Sequence, residues 1–243
     1  MMRQKIRRSF ALLALLVFPL TLNYFSPYVS IDGAMVGVIS GSVIVFILLF
    51  LSGIILGRAW CGWLCPMAGL SEMTLQINNK NVNIKNLRRV RLSIFAVWAS
   101  ILVLGFVLAG GIKGVNPLHL TENIISVDAP VKYIIYYSVL LIFTVLSIVL
   151  GKRGACQSIC WMSPFLAAGY HVGKGLKIPQ LRIVSQKDRC VSCGICDKKC
   201  PMSLPVSTML KTDKMSTSDC ILCGECVDHC KKNVLSYRFT VVK

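Results

Sequence analysis

Four long stretches of the chain contain no charged side chain and no histidine. They cover residues 9–31, 33–57, 92–112 and 133–151. A helix needs about 20 apolar residues to cross about 30 Å of hydrocarbon, and each stretch approaches or exceeds that length. The pattern therefore predicts four transmembrane helices.

The segments outside these stretches divide the chain into two parts. Short polar loops separate the stretches, and residues 165–180 are expected to form an interfacial segment that leads out of the bilayer. We therefore predict a mainly α protein, with a four-transmembrane-helix bundle over residues 1–180 and a small separate domain over residues 181–243. About sixty residues are too few for much of an apolar core, so bound metal must help this domain to fold.

Positive charge is concentrated at one end of the predicted helices. The formal net charge is +17, and twelve of the 27 basic residues precede Pro164 at the same helix ends. These twelve are Arg3, Lys5, Arg7, Arg8, Arg58, Lys80, Lys85, Arg88, Arg89, Arg91, Lys152 and Arg153. Only Lys113 and Lys132 border the opposite ends. The positive-inside rule then predicts a multi-pass protein of the inner (cytoplasmic) membrane, with both termini and all cysteines on the cytoplasmic side. The excess positive charge faces anionic membrane lipid, which explains it without a nucleic-acid partner.

Eight of the twelve cysteines form two copies of one loop. The first copy contains Cys190, Cys193, Cys196 and Cys200, and the second contains Cys220, Cys223, Cys226 and Cys230, thirty positions later. Three closely spaced cysteines followed by a fourth are typical of [4Fe–4S] ligand loops. Zinc is the alternative, but it usually takes two well-separated C-x2-C pairs. Gly194 and Gly224 fall at the same place in the two loops, where the chain must bend closely. The spacing predicts two [4Fe–4S] clusters.

The duplicated loop resembles the bacterial two-cluster ferredoxin module. This resemblance implies that residues 181–243 form a ferredoxin-like domain. It also implies crossed ligation, in which the fourth cysteine of each loop binds the cluster held by the other loop. One ligand set, set 1, is then Cys190, Cys193, Cys196 and Cys230. The other, set 2, is Cys200, Cys220, Cys223 and Cys226. Pro201 follows the first loop as the family pattern expects, whereas Lys231 takes that place in the second.

The other four cysteines form two pairs in the membrane part, and we refer to them together as the membrane quartet. They are Cys61, Cys65, Cys156 and Cys160. Both pairs have an i, i+4 spacing, which on a helix places the two Cβ atoms about 5–6 Å apart on one face. A disulfide needs about 3.8 Å, so neither pair is well placed to form one. Three interpretations stay open: a third metal or iron–sulfur site, inert packed thiols, and a redox-active dithiol. Four thiolates near hydrocarbon would require a compensating cation, which favours the metal site narrowly.

The order of these features along the chain is itself informative. The chain has four predicted helices. The second helix is followed by the motif Arg58-Ala-Trp-Cys61-Gly-Trp-Leu-Cys65-Pro66, the fourth helix is followed by another cysteine pair, and the two-cluster module comes last. The whole chain thereby resembles the membrane polyferredoxins of the NapH/NosR type, which are quinol-dehydrogenase membrane components. The resemblance implies the electron-transfer subunit of a quinol dehydrogenase or related oxidoreductase complex, with other redox subunits as partners. The chain departs from the family at Trp161, where a proline is expected.

Three tryptophans lie beside the membrane quartet and are candidates for a quinol pocket. They are Trp60, Trp63 and Trp161. Tryptophan is also the usual interfacial anchor, so both interpretations stay open. Glu72 can accept a quinol proton, but we interpret it as a solvated loop residue. His119 is expected on the outer side, about 30 Å from the cysteines, without a chemical role.

The sequence therefore predicts a membrane-anchored iron–sulfur electron carrier. We expect it to pass electrons between a quinol-type carrier and a partner redox protein, with the cofactors performing the redox chemistry. The competing prediction is a membrane-bound iron–sulfur redox sensor, or an assembly factor for a respiratory complex.

Overall fold

The structure, a computed structural model, describes residues 2–121, 125–127, 129–212 and 215–241. Its helices are α1 (Met2–Leu16), α2 (Phe18–Thr21), α3 (Pro27–Met35), α4 (Gly41–Leu56), α5 (Ala59–Trp63), α6 (Pro66–Thr74), α7 (Ile84–Leu108), α8 (Pro130–Leu150), α9 (Gly154–Ser158), α10 (Met162–Gly175), α11 (Ile195–Lys199), α12 (Val206–Lys211) and α13 (Glu225–Asp228). Short 3₁₀ turns cover Asn23–Phe25 and Lys187–Arg189. The strands are β1 (Val38–Ser40), parallel to β2 (Gly114–Asn116), and β3 (Gln180–Ser185), antiparallel to β4 (Leu235–Thr240). The mainly helical character matches the prediction.

Two helices, α7 and α8, are long and apolar enough to cross a membrane. Both leave most of their apolar surface exposed, as a helix in contact with lipid does. A further apolar helix, α4, is shorter, with 16 residues. The described residues thus contain two candidate spanning helices where the sequence pattern predicts four.

The first apolar stretch is broken into several pieces. α1 ends at Leu16, and Pro19 falls at the start of the short α2, because proline lacks the amide hydrogen that a continuing helix needs. The hydroxyl of Ser26 then accepts a hydrogen bond from the amide of Val29, and Pro27 occupies the first turn of α3. The chain between α2 and α4 therefore contains a further helix.

The segment expected at the membrane interface is a core helix. α10 packs along α4 over most of its length, and Leu166 is completely buried there. A Cβ atom at Gly169 would collide with the carbonyl oxygen of Phe50, so glycine is needed for this close approach. Three aromatic rings continue the contact. Phe46 and Phe165 stack with centroids 5.0 Å apart, and Trp98 of α7 meets both rings edge-on.

The C-terminal domain folds around a second, separate core and the β3–β4 sheet. Its two cysteine loops share backbone geometry as well as sequence. Ser192 and Leu222 both have positive φ, and Gly194 and Gly224 follow with φ of 68° and 77°. The left-handed conformation favours glycine, which lets each loop turn into a short helix. The thirty-residue sequence repeat is therefore also a structural repeat.

Candidate functional site

The C-terminal domain brings each fourth cysteine to the other loop. All four cysteines of set 1 line one cavity at the exposed end of the domain, where Cys193 is itself exposed. All four cysteines of set 2 line a separate cavity whose walls are otherwise apolar. The arrangement groups the cysteines as crossed ligation requires.

The surroundings of set 2 disfavour bare thiolates. Burial raises the pKa of Cys223 to about 12, and the nearby Cys200 adds to the rise. Burial also raises the pKa of Cys220 to about 11. A positively charged cluster core would offset this cost. Four enclosed thiols on glycine-containing loops are the donor set that a [4Fe–4S] cluster takes.

The membrane quartet is carried by two similar segments, each broken between its cysteines. Cys61 lies in α5, and Cys65 precedes α6 in extended backbone with φ −74° and ψ 128°. Cys156 lies in α9, and Cys160 falls between α9 and α10. Neither pair therefore shares one continuous helix, contrary to the expectation from the i, i+4 spacing. In the first pair the cause is Pro66, which begins a new helix.

The four thiols of the quartet still converge in one core. All four belong to, or pack against, the same buried cluster of side chains. Burial raises the pKa of Cys160 to about 12, and the nearby Cys156 and Cys61 contribute. Burial and the other three thiols also raise the pKa of Cys65. The hydroxyl of Ser71 lies 3.5 Å from the Sγ atom of Cys156.

Buried donors next to the quartet are left without hydrogen-bond partners within the described part of the chain. They are Arg58 Nε, Trp60 Nε1 and Arg153 Nε. An anionic group held by the quartet would satisfy such donors, whereas an empty site leaves them at a cost of about 1–3 kcal/mol each. In the described ranges, no group of three or more His, Cys, Asp or Glu side chains is arranged to hold a single metal ion.

Helix α5 connects the quartet to set 2. The indole nitrogen of Trp63 donates to the carbonyl oxygen of Leu222 at 3.0 Å. A Cβ atom at Gly62 would collide with the carbonyl oxygen of Ile221, so the two backbones are in direct contact. Cys61 itself packs against both the membrane core and the C-terminal core. The second cysteine loop thus lies on the helix that carries Cys61.

Glu72 is the centre of a buried ion-pair network rather than a solvated loop residue. Its carboxylate accepts hydrogen bonds from Arg7 at 2.8 Å and from Arg153 at 2.9 Å. Burial alone would raise the pKa of Glu72, but Arg153 and Arg7 outweigh it and lower the pKa to about 2. Arg7 also donates to Glu225 at 3.1 Å, and Arg153 to the carbonyl oxygen of Cys61 at 2.9 Å. The network ties α1, α6 and the C-terminal domain together.

Asp219 forms a second ion-pair centre. Its carboxylate lies within 3.7 Å of guanidinium nitrogens of Arg58, Arg88 and Arg91. From the sequence alone, these arginines indicate only how the chain is oriented in the membrane. The sequence nevertheless contains a signal that could have identified two buried arginines, because Arg58 and Arg153 each precede the first cysteine of a membrane pair by three positions. The repeated Arg-x2-Cys-x3-Cys pattern marks both buried arginines.

An apolar cavity of about 750 Å³ borders the quartet at Cys160. Of the three candidate tryptophans, Trp161 lines this cavity and donates to the carbonyl oxygen of Phe25 at 2.7 Å. Trp60 is not on the lining but packs against Phe25, with ring centroids 6.2 Å apart. Trp63 contacts the C-terminal domain instead. The structure therefore separates the three tryptophans into different environments.

The loop before α8 reaches the same cavity. Leu118 and Leu120 line it together with Cys160, while His119 points to Asp32, with 2.7 Å between Nε2 and Oδ2. The sequence argument placed this loop a full bilayer core away from the cysteines. That separation assumes an unbroken first helix, whereas the broken α1–α3 segment places Phe25 beside Trp161.

Two family comparisons match the cysteine regions. Residues 38–85, which include Cys61 and Cys65, match a family described as "4Fe-4S binding domain". Residues 189–235, which include both cysteine loops, match a family described as "4Fe-4S dicluster domain". No solved structure matches the chain. The matches and the two cysteine-lined cavities define an iron–sulfur protein that binds two [4Fe–4S] clusters.

Relatives extend over most of the chain. Uncharacterized protein MJ0750 of Methanocaldococcus jannaschii is 26% identical over 217 residues, covering 86% of this chain and 82% of that protein. Putative electron transport protein YccM of Escherichia coli is 22% identical, covering 84% of this chain and 57% of its own length. Ferredoxin-type protein NapH of Escherichia coli is 22% identical, covering 82% and 67% respectively. These relatives and the two matched regions support the NapH-type polyferredoxin family that the motif order predicts.

Proposed function

We propose that this chain is the membrane-anchored electron-transfer subunit of an oxidoreductase complex, acting between a quinol-type carrier and a partner redox protein. The observation that supports this most directly is that the cavity and the three cysteine sites lie next to one another in order from the membrane part to the exposed end of the C-terminal domain. The apolar cavity reaches Cys160, the quartet reaches set 2 through α5, and set 1 lies at the exposed end of the domain. A partner protein can approach that exposed end without entering the membrane.

The ligand assignment is part of this proposal. Set 1 and set 2 each hold one [4Fe–4S] cluster by crossed ligation, and the membrane quartet holds a third centre. The family match over residues 38–85 and the unsatisfied donors beside the quartet support the third centre. When bound, these groups supply one-electron transfer, while the protein fixes their position.

The cavity has the properties of a site for a flat, mostly apolar ring. Phe143, Met67 and Trp161 give it walls that exclude water, and the hydrogen bond to Phe25 fixes the indole of Trp161. Hydroxyl groups on the lining can bond to ring oxygens. A quinol held there would lie next to Cys160, which is the position the proposed function needs.

We also propose a multi-pass placement with both termini in the cytoplasm. α7 begins with a basic segment and α8 is followed by Lys152 and Arg153, so these charges lie at the same end of two antiparallel helices. Lys132 lies at the other end of α8. This distribution supports a cytoplasmic position for the C-terminal domain.

The test uses two valines on the same helix. Val139 lines the cavity, whereas Val149 is 68% exposed on α8. Val139→Trp should fill the cavity and weaken specific labelling by a photoreactive quinol analogue by about tenfold or more, with slower cluster reduction by quinol. Val149→Trp adds the same side chain outside the cavity and should behave like the wild type.

Both variants must retain the iron content of the wild type for the comparison to hold. Unchanged labelling of Val139→Trp would contradict the proposed site. Labelling that maps instead to Trp63 would also contradict it, because that side chain faces the C-terminal domain.

A further inference from the structure

A second cavity, of about 310 Å³, lies where the membrane part meets the C-terminal domain. Its lining comes from α1, from the end of α6 and the loop after it, from Lys152 two positions after α8, from α11 and Pro201, and from Glu225 and His229 in the second cysteine loop. The proposed electron path does not use this cavity.

The cavity carries an excess of positive charge. Four cationic side chains line it: Arg8, Lys152, Lys198 and Lys199. The two carboxylates on its wall, Glu72 and Glu225, are already paired with the buried Arg7 and Arg153. Arg8 itself also lies within 3.4 Å of both carboxylates. Lys152 is 3% exposed and donates to the carbonyl oxygen of Lys198 at 2.7 Å, so this cation is built into the wall. The exposed side chains of Lys198 and Lys199 have no carboxylate partner in the described ranges.

Apolar side chains lie directly beside these cations. Leu12 and Met73 line the cavity and are 42% and 55% exposed, and Leu75 lines it as well. Lys152 follows the end of α8 at Leu150, which places the cavity at the proposed cytoplasmic surface of the bilayer. Cations and exposed apolar side chains together match the two ends of one molecule, a phospholipid with a negative headgroup.

We propose that this cavity binds an anionic phospholipid, with its phosphate among Arg8, Lys198 and Lys199 and an acyl chain along Leu12 and Met73. The inference rests on the membrane placement proposed above. Because the lining comes from both parts of the chain, the bound lipid bridges the membrane part and the C-terminal domain.

The experiment measures phospholipid retained by the full-length, cluster-loaded protein in detergent, after titration with dioleoyl phosphatidylglycerol, by native mass spectrometry. Lys198→Gln with Lys199→Gln should weaken binding about thirty-fold, the equivalent of about 2 kcal/mol for two charges near a phosphate. Lys231→Gln with Lys232→Gln is the matched control. These lysines line the cavity of set 1 instead and should leave lipid binding unchanged.

A second substitution separates a lipid from a free anion. Met73→Gln should weaken phosphatidylglycerol binding, whereas inorganic phosphate should fail to displace the lipid from the wild type. Displacement by millimolar phosphate would overturn the proposal in favour of a free-anion site. Equal weakening in the two lysine pairs would overturn it in favour of non-specific charge attraction.

The membrane placement is checked in the same preparations. Wild-type protein that inserts into phosphatidylcholine vesicles but retains no phosphatidylglycerol would overturn the lipid site alone. Protein that stays soluble without detergent or vesicles would overturn both the membrane placement and the lipid site.

Discussion

Glu72 shows how one buried carboxylate can hold three elements at once. Its partners Arg7 and Arg153 are almost completely buried, with side chains 0% and 1% exposed. Removing one member of such a buried pair leaves an uncompensated charge, which costs about 3–5 kcal/mol. The contribution of Glu72 therefore depends on its remaining ionised.

We expect Glu72→Gln to lower the apparent Tm of the cluster-loaded protein at pH 7 by about 6–12 °C, corresponding to about 3 kcal/mol. The pKa of Glu72 is lowered on folding from an ordinary 4.5 to about 2. Its stabilising effect is therefore fully present above pH 4.5 and is lost as the pH falls toward 2. The Tm difference between variant and wild type should stay constant from pH 7 to 5 and narrow below that. Asp188→Asn, at an exposed position, is the control; a difference that does not depend on pH would contradict the ion-pair explanation.

Cys200 tests the crossed ligand sets. It belongs to the first loop in sequence but lines the cavity of set 2. Cys200→Ser should therefore damage the cluster of the second loop and leave the signals of the set 1 cluster, as followed by electron paramagnetic resonance of the reduced protein. Cys230→Ser should give the opposite result. Loss of the set 1 cluster in Cys200→Ser would show that each loop binds its own cluster.

At the scale of elements, the membrane quartet depends on a repeated segment. α5 and α6 on one side, and α9 and α10 on the other, each place one cysteine in a short helix and the next just after it. Arg58 and Arg153 occupy the same position before each pair. Both segments must be present to bring four thiols together, so each pair alone supplies only half of a ligand set.

We expect intact protein to contain about twelve irons per chain, four for each of three [4Fe–4S] centres. Cys61→Ala with Cys156→Ala should lower this to about eight and leave the spectra of sets 1 and 2 unchanged. The measurement is elemental analysis of anaerobically purified protein together with acid-labile sulfide. Eight irons in active wild-type protein would mean that the quartet holds thiols and no cluster.

The accuracy of the sequence predictions differs between elements for physical reasons. The duplicated cysteine loops and the α7 and α8 stretches were predictable because ligand spacing and charge-free length are local signals. The helix break after Leu16 was less predictable, because Pro19 indicates a kink but does not indicate that a new helix begins at Pro27. The packing of α10 against α4 depends on which glycines face each other, which the sequence of either segment does not show.

The buried ion pairs were missed for a related reason. Basic residues at helix ends satisfy the positive-inside rule whether they face water, lipid or a carboxylate. Arg91 contributes to that rule and also contacts Asp219, which lies 128 positions later in the chain. Only the fold shows the second role, because the two residues belong to different parts of the molecule.

At the scale of the whole molecule, carboxylates of the C-terminal domain hold it on the membrane part, among them Asp228, which lies 2.8 Å from a guanidinium nitrogen of Arg3. Asp219 precedes the first cysteine of the second loop and contacts Arg58 and Arg91. Glu225 follows Gly224 in the same loop and contacts Arg7. Asp219 lies directly before the loop that carries most of set 2, and Glu225 lies within it, between Cys223 and Cys226, so the two carboxylates fix that ligand set against the α5 helix. The loop of set 1 extends away from this contact and stays exposed.

The last prediction concerns this attachment. Asp219→Asn with Glu225→Gln and Asp228→Asn should release the C-terminal domain while leaving it folded, because the β3–β4 sheet and the second core do not involve these carboxylates. Hydrogen exchange followed by mass spectrometry should show faster exchange in peptides covering Ala59–Trp63 and residues 219–224, with β3 and β4 still protected. The Asp188→Asn control should exchange like the wild type. Loss of protection throughout the domain would mean that the carboxylates support its folding instead. Unchanged exchange at α5 would mean that the apolar and backbone contacts of Gly62 and Trp63 hold the domain without the carboxylates.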